Sequence, residues 1–126
     1  SHILSFFVPY SSSDSSLIAS CGGDKQPYLW DVTTGQIIRK FQGHANQINC
    51  IVFNTENTLL VTGSNDQTAK IWDCKSRHYA PIQTLEDAKD SVTSVVLTDH
   101  EILTAYLSLH SLHHSVATSH LLIFKI

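Results

Sequence analysis

An imidazole, a carboxylate and a hydroxyl, here His44, Asp66 and Thr62, are the residue types of a nucleophile triad, in which an acid orients a base and the base activates the hydroxyl. Thr62 and Asp66 have counterparts earlier in the chain, Ser20 and Asp24, and a set that recurs reads as structure, so no catalytic residue and no enzyme are expected. His110, His113, His114 and His120 could offer ring nitrogens to a metal, but no Cys or carboxylate accompanies them; a flexible tail is the expectation there, with no metal. Cys21, Cys50 and Cys74 are odd in number and widely spaced, with no Cys-x-x-Cys. They read as buried, reduced thiols, not as a disulfide framework. Gly22-Gly23 reads as a turn and not a phosphate-cradling loop, and no cofactor or small-molecule substrate is expected.

The elements that must position these residues follow a repeat. Ser20, Asp24 and Trp30-Asp31 return 42 residues later as Thr62, Asp66 and Trp72-Asp73. A period of about 40–45 residues closing on Trp-Asp is the mark of a four-stranded propeller blade. The strand pattern agrees. Ile48 to Phe53, Leu59 to Thr62, Thr68 to Trp72 and Pro81 to Leu85 are β-prone runs separated by turn residues such as Ser64-Asn65-Asp66-Gln67. Leu17 to Ser20, Tyr28 to Trp30 and Gln36 to Phe41 read the same way one unit earlier, and Val92 to Leu97 with Ile102 to Ala105 begin a third unit. The expected fold is all-β: a propeller fragment of about two four-stranded blades plus the start of a third. Residues 1–10 read as a non-matching N-terminal segment and residues 11–105 as the repeat region, in units 11–43, 44–87 and 88–105. Residues 106–126 read as a divergent C-terminal tail.

The stretches Ser20-Cys21-Gly22-Gly23-Asp24-Lys25, Leu29-Trp30-Asp31-Val32, Gly43-His44, Trp72-Asp73-Cys74 and Asp99-His100-Glu101-Ile102-Leu103 resemble WD-repeat proteins. Among these, they are most similar to the scaffolds that organise mitogen-activated protein kinase cascades. The resemblance implies a hydrogen-bonded tetrad in which Asp66 accepts from His44, His44 reaches Thr62, and Thr62 reaches the Trp72 indole. The first unit keeps Ser20, Asp24 and Trp30 as a partial tetrad without a matched His; the third has Asp87-Ala88 where Gly-His is expected. Asp31 and Asp73 complete the repeat signature. The resemblance further implies a protein-interaction scaffold with kinase-cascade components as partners, an association with the spliceosome, and a cytoplasmic location with a nuclear pool. Two other readings are a substrate-recognition module of a ubiquitin ligase and a nonfunctional truncated product. The first needs Trp-Asp-x-Arg, where Thr33 and Lys75 stand in the Arg position; the second follows from the broken third unit, as in a partial or alternatively spliced chain.

Eight basic against eleven acidic residues, a net charge of -3, create no field for nucleic acid, and direct nucleic-acid binding is not expected. Ile102 to Phe124 lack Asp, Glu, Lys and Arg, yet their His, Ser and Thr content argues against a membrane span. Arg39, Lys40, Lys75 and Arg77 are the candidate exposed contacts for a protein partner. With so few repeats, the chain is expected to be marginally stable and prone to aggregate through open strand edges.

Overall fold

The computed structural model describes residues 10–11, 16–21, 25–54, 56–77, 79–98, 100–111 and 115–125. Strands β1 (Tyr10–Ser11), β2 (Leu17–Ser20), β3 (Tyr28–Asp31) and β4 (Ile37–Lys40) form an antiparallel sheet in that order. A second sheet has β5 (Ile48–Phe53), β6 (Leu59–Ser64), β7 (Ala69–Asp73) and β8 (Gln83–Leu85), again in chain order. The third holds β9 (Val92–Leu97), β10 (Glu101–Ser111) and β11 (Ser115–Lys125), with β10 in the middle. This is the all-β propeller fragment: two four-stranded blades and a third of three strands. Among the described residues, no helix is long and apolar enough to cross a membrane.

The repeat acts at the level of single residues. Lys25 and Gln67, 42 residues apart, both adopt left-handed φ, at 69° and 72°, between the second and third strands of their blades. Asp31 Oδ1 accepts from the Thr33 and Thr34 amides at 2.8 and 3.3 Å, and Asp73 Oδ1 from the Lys75 and Ser76 amides at 2.9 and 3.3 Å. The Asp of each Trp-Asp pair therefore closes the turn that follows it, satisfying backbone donors as Asx turns do.

Alternation along the strands sends neighbouring side chains to opposite faces and so creates two cores. Leu60 and Trp72 join Ala19, Cys21 and Leu29 of the first sheet, with Phe41 from the intervening link. Val61, Ala69 and Ile71 turn the other way and join Val92, Val95, Ile102 and Tyr106 of the third sheet. Gly63 permits that second contact: a Cβ there would stand 2.6 Å from Val92 Cγ1 and 2.7 Å from Cys50 Sγ.

The C-terminal region differs from the flexible tail expected on sequence. β10 continues through Ser111 and β11 returns along it, with Glu101 opposite Lys125 and Ser111 opposite Ser115. The cause is alternation. Ile102, Thr104 and Tyr106 are buried in sequence along β10, and Leu122 and Phe124 of β11 pack on the same core. His120 stacks on Tyr106 with ring centroids 4.8 Å apart, and Lys125 pairs with Glu101 at 2.9 Å. The expected strand from Pro81 is shorter than read, starting at Gln83, although the Ile82 amide already donates to the Ile71 carbonyl at 2.8 Å. Ser1 to Pro9, Asp24, His113 and His114 lie outside the described residues.

Candidate functional site

The candidate residues of the second blade come from four places: His44 from the link before β5, Thr62 from β6, Asp66 from the β6–β7 turn, and Trp72 from β7. Gly43 lets the link approach closely, since a Cβ there would meet Pro81 Cδ at 3.0 Å and Trp72 Cη2 at 3.1 Å. The Trp72 indole N–H donates to Thr62 Oγ1 at 2.9 Å. Thr62 Oγ1 lies 2.5 Å from His44 Nε2, and His44 Nδ1 lies 2.8 Å from Asp66 Oδ2. Donor and acceptor capacities assign the protons. The indole can only donate, so the Thr62 hydroxyl donates to Nε2, and Nδ1–H donates to the carboxylate. Asp66 also accepts from the Ala45 amide at 2.9 Å, the Thr68 amide at 2.9 Å and the Thr68 hydroxyl at 2.5 Å.

Burial sets the electrostatics. Trp72 and Thr62 are fully buried and His44 nearly so. Desolvation holds the His44 imidazole below its ordinary 6.5, against the opposing pull of the Asp66 hydrogen bond and charge. Burial would raise Asp66, but the hydrogen bonds from Thr68, Ala45 and His44 together outweigh it and hold the carboxyl below its ordinary 3.8. Neutral imidazole beside carboxylate is thus the resting state. Superficially this is a triad, but its hydroxyl is buried and engaged by both indole and imidazole, leaving it no open side toward a substrate. What the arrangement does is tie the link, both central strands and their turn into one unit.

The other two blades keep parts of it. Trp30 donates to Ser20 Oγ at 2.7 Å in the first. In the third, Thr104 stands 42 residues after Thr62, fully buried, with no hydrogen-bond partner for its hydroxyl among the described residues. Register explains the loss. Ile18 faces Trp30 and Leu60 faces Trp72, whereas Ile102 faces Phe124, which has no N–H to give. Buried Ala88 occupies the place of His44. Sequence reasoning missed Thr68, Thr104 and Phe124. It also missed His2, which lies outside the described residues but stands 42 residues before His44, the same shift as the other pairs.

Of the candidate contacts, Lys40, Lys75 and Arg77 are exposed. Arg39 departs from the surface placement expected: it is half-buried, with Nη1 enclosed and unpartnered among the described residues. Cys21, Cys50 and Cys74 carry thiols and not disulfides, and burial pushes Cys50 up to about 12 and Cys74 up to about 11, so neither is a ready nucleophile.

Against known families, residues 2–31 and 35–73 match the model of the WD domain, G-beta repeat. The first match begins inside the segment set apart on sequence. The chain is similar to the WD repeat domain-containing protein 83 homolog of Dictyostelium discoideum, 41% identical over 93 residues, covering 73% of this chain and 28% of that protein. It is also similar to THO complex subunit 6 of Arabidopsis thaliana, 34% identical over 86 residues, 67% of this chain and 23% of that one. Eukaryotic translation initiation factor 3 subunit I of Drosophila melanogaster is 37% identical over 57 residues, 45% of this chain and 18% of that one. The chain therefore spans between 18% and 28% of the length of these relatives.

Proposed function

The chain belongs to the WD-repeat family, and on that premise we propose that it is a protein-interaction scaffold for components of a mitogen-activated protein kinase cascade, with spliceosomal proteins as further partners. The observation that carries a scaffold over an enzyme is the fate of the Asp–His–hydroxyl set in the second blade: every polar atom in it that could act on a substrate is spent on holding strands together. WD-repeat relatives named as subunits of larger complexes support the same reading. The kinase assignment rests on the particular match of stretches such as Trp72-Asp73-Cys74 and Asp99 to Leu103. The free thiols, buried at Cys21 and Cys74 and half-buried at Cys50, support a reducing compartment, cytoplasmic with a nuclear pool.

Exposed Lys40, Lys75 and Arg77 are the proposed contacts, and they would act on acidic partner surfaces chiefly through encounter rate and register. The test is binding of purified kinases of the cascade to the immobilised chain. Lys75→Glu with Arg77→Glu is expected to weaken binding about tenfold, with the Trp72 emission unchanged. A chain that binds none of the cascade's kinases, while melting as a folded protein, sinks the assignment.

A further inference from the structure

β8 is the outer strand of the second sheet, and the link from β7 leads into it along the rim of the blade. The first and third sheets pack on either side of this sheet, so its rim is not a face that a neighbouring blade covers. Two large apolar side chains stand out on it: Tyr79 is 61% exposed and Ile82 56%. Both sit on fixed backbone. The Gln42 amide donates to the Tyr79 carbonyl at 2.9 Å, and the Ile82 amide to the Ile71 carbonyl at 2.8 Å. Pro81, just before Ile82, is seated against Gly43, which in turn lies on buried Trp72. Exposed apolar side chains on a fixed backbone bind without the cost of ordering a loop.

Positive charge converges on the same edge. The Gln42–Tyr79 bond joins the end of β4 to the β7–β8 link, and so brings Arg39 and Lys40 of the first sheet toward Lys75 and Arg77 of the second. Arg39 and Lys75 both pull the Cys74 thiol down against burial, as cations beside one group do. Lys40, Lys75 and Arg77 are exposed, and Arg39 keeps Nη1 unpartnered among the described residues. Half of the chain's eight Lys and Arg residues thus share one rim of a chain whose net charge is -3. Asp73 and Glu56 lie on that side too, near the bond from the Cys74 amide to the Thr58 carbonyl. Each is engaged locally, Asp73 by its turn amides and Glu56 by the Asn54 side chain, and two carboxylates against four cations leave the rim positive. Exposed cations alone are ordinary solvated charges. Large apolar side chains held in water beside them mark an interaction site.

We propose that this rim docks an acidic, aliphatic segment of a partner protein, its carboxylates meeting Lys75, Arg77 and the Arg39–Lys40 pair and its apolar side chains covering Tyr79 and Ile82. The inference rests on the reading of the chain as an interaction scaffold. It adds the apolar half of the contact, which basic residues alone do not supply, and it does not require the partner to be a kinase. Charge sets approach and register, and burial of Tyr79 and Ile82 sets how long the partner stays.

Fluorescence anisotropy of labelled peptides against the full chain tests this. The probes are a panel in which a run of glutamates is followed by leucines at graded spacings. Matched panels carry lysines for the glutamates or serines for the leucines. At least one glutamate–leucine peptide should bind saturably, and about tenfold tighter than either counterpart. Lys75→Glu with Arg77→Glu, and separately Tyr79→Ser with Ile82→Ser, should each weaken that binding about tenfold. Lys89→Glu, at an exposed charge in the link after β8, should leave it unchanged. Tyr79 and Ile82 are exposed and their bonds are made by backbone, so the serine variant should melt like wild type. If it melts early, Tyr79→Ser alone gives the readout. A folded wild type that binds no peptide of the panel overturns the proposal. So does binding that survives the loss of the apolar pair, and so does binding that Lys89→Glu weakens as much as the rim variants do. Peptide and kinase binding fail separately: a chain that binds the peptides and no kinase keeps this surface and loses the kinase assignment.

Discussion

At the scale of the residue, the buried tetrad is a stability device with a pH dependence of definite sign. His44 is held below its ordinary 6.5 in the folded chain, so below that value the unfolded chain takes up a proton that the folded chain resists. Stability is therefore full above 6.5 and falls as the pH drops from there toward the folded value. Asp66 is also held low, so a second loss begins below its ordinary 3.8 and runs the same way. Urea midpoints measured across this range should fall in two stages on acidification. His44→Gln should start from a lower midpoint, since it breaks the chain of bonds to Thr62 and Asp66, and should lose the upper stage. An unchanged upper stage in that variant would assign it to other histidines. The tetrad's residue types and order were legible on sequence; the proton positions were not, because they depend on which groups burial brings within 3 Å of one another.

At the scale of the element, the third sheet shows where sequence reading stopped and why. The Trp-Asp signature marks the second β-hairpin strand in the first two blades, and its absence at the same spacing made everything after Ala105 look unstructured. A β-prone apolar run was still present in Leu121 to Phe124, but β10 and β11 are each eleven residues long, against four to six for β2, β3, β6 and β7. The longer hairpin moves the register position of the Trp from residue 114 to Phe124, ten places past the repeat. Only pairing reveals that equivalence. It leads to a test at Thr104, whose buried hydroxyl has lost its donor. Phe124→Trp places an indole N–H where Thr62 and Ser20 each receive one, and Phe124 is only partly buried, so the larger ring has room at the outer strand. The gain should be about 1 kcal/mol, a typical net hydrogen bond. In the parent chain, Thr104→Val should be nearly neutral, for it removes a group with no partner. In the Phe124→Trp background it should cost about 1 kcal/mol, and that coupling identifies the bond. Equal effects in both backgrounds would mean that the indole does not reach the hydroxyl.

At the scale of the whole molecule, the question is whether the sheets are separate units or one. The 42-residue repeat made the two four-stranded blades legible, since each Trp-Asp announces one, but it is silent on how much core a blade owns. The structure answers through the first sheet, whose strands are two to four residues long. Ala19, Cys21 and Leu29, the buried hydrophobic residues that it places in a core cluster, all belong to the cluster shared with Leu60 and Trp72. A sheet whose described core residues are all shared with its neighbour should not remain folded when that neighbour unfolds, since ordering each residue costs roughly 1–2 kcal/mol of entropy that only burial offsets. Solenoid-like stacks are stabilised by such neighbour contacts more than by their units. The two tryptophans can measure this separately: Trp30→Phe leaves Trp72 as the reporter of the second sheet, and Trp72→Phe leaves Trp30 as the reporter of the first. Each variant loses one indole bond, but Trp72→Phe breaks the fully buried one to Thr62 and Trp30→Phe the part-buried one to Ser20, so the Trp72→Phe midpoint should be the lower. The comparison is therefore made within each variant, between fluorescence and circular dichroism of the whole β-structure. Coincident curves in both variants are expected, because loss of the shared core removes both sheets together. A Trp30 signal that melts ahead of the circular dichroism would mean that the first sheet frays independently of the second.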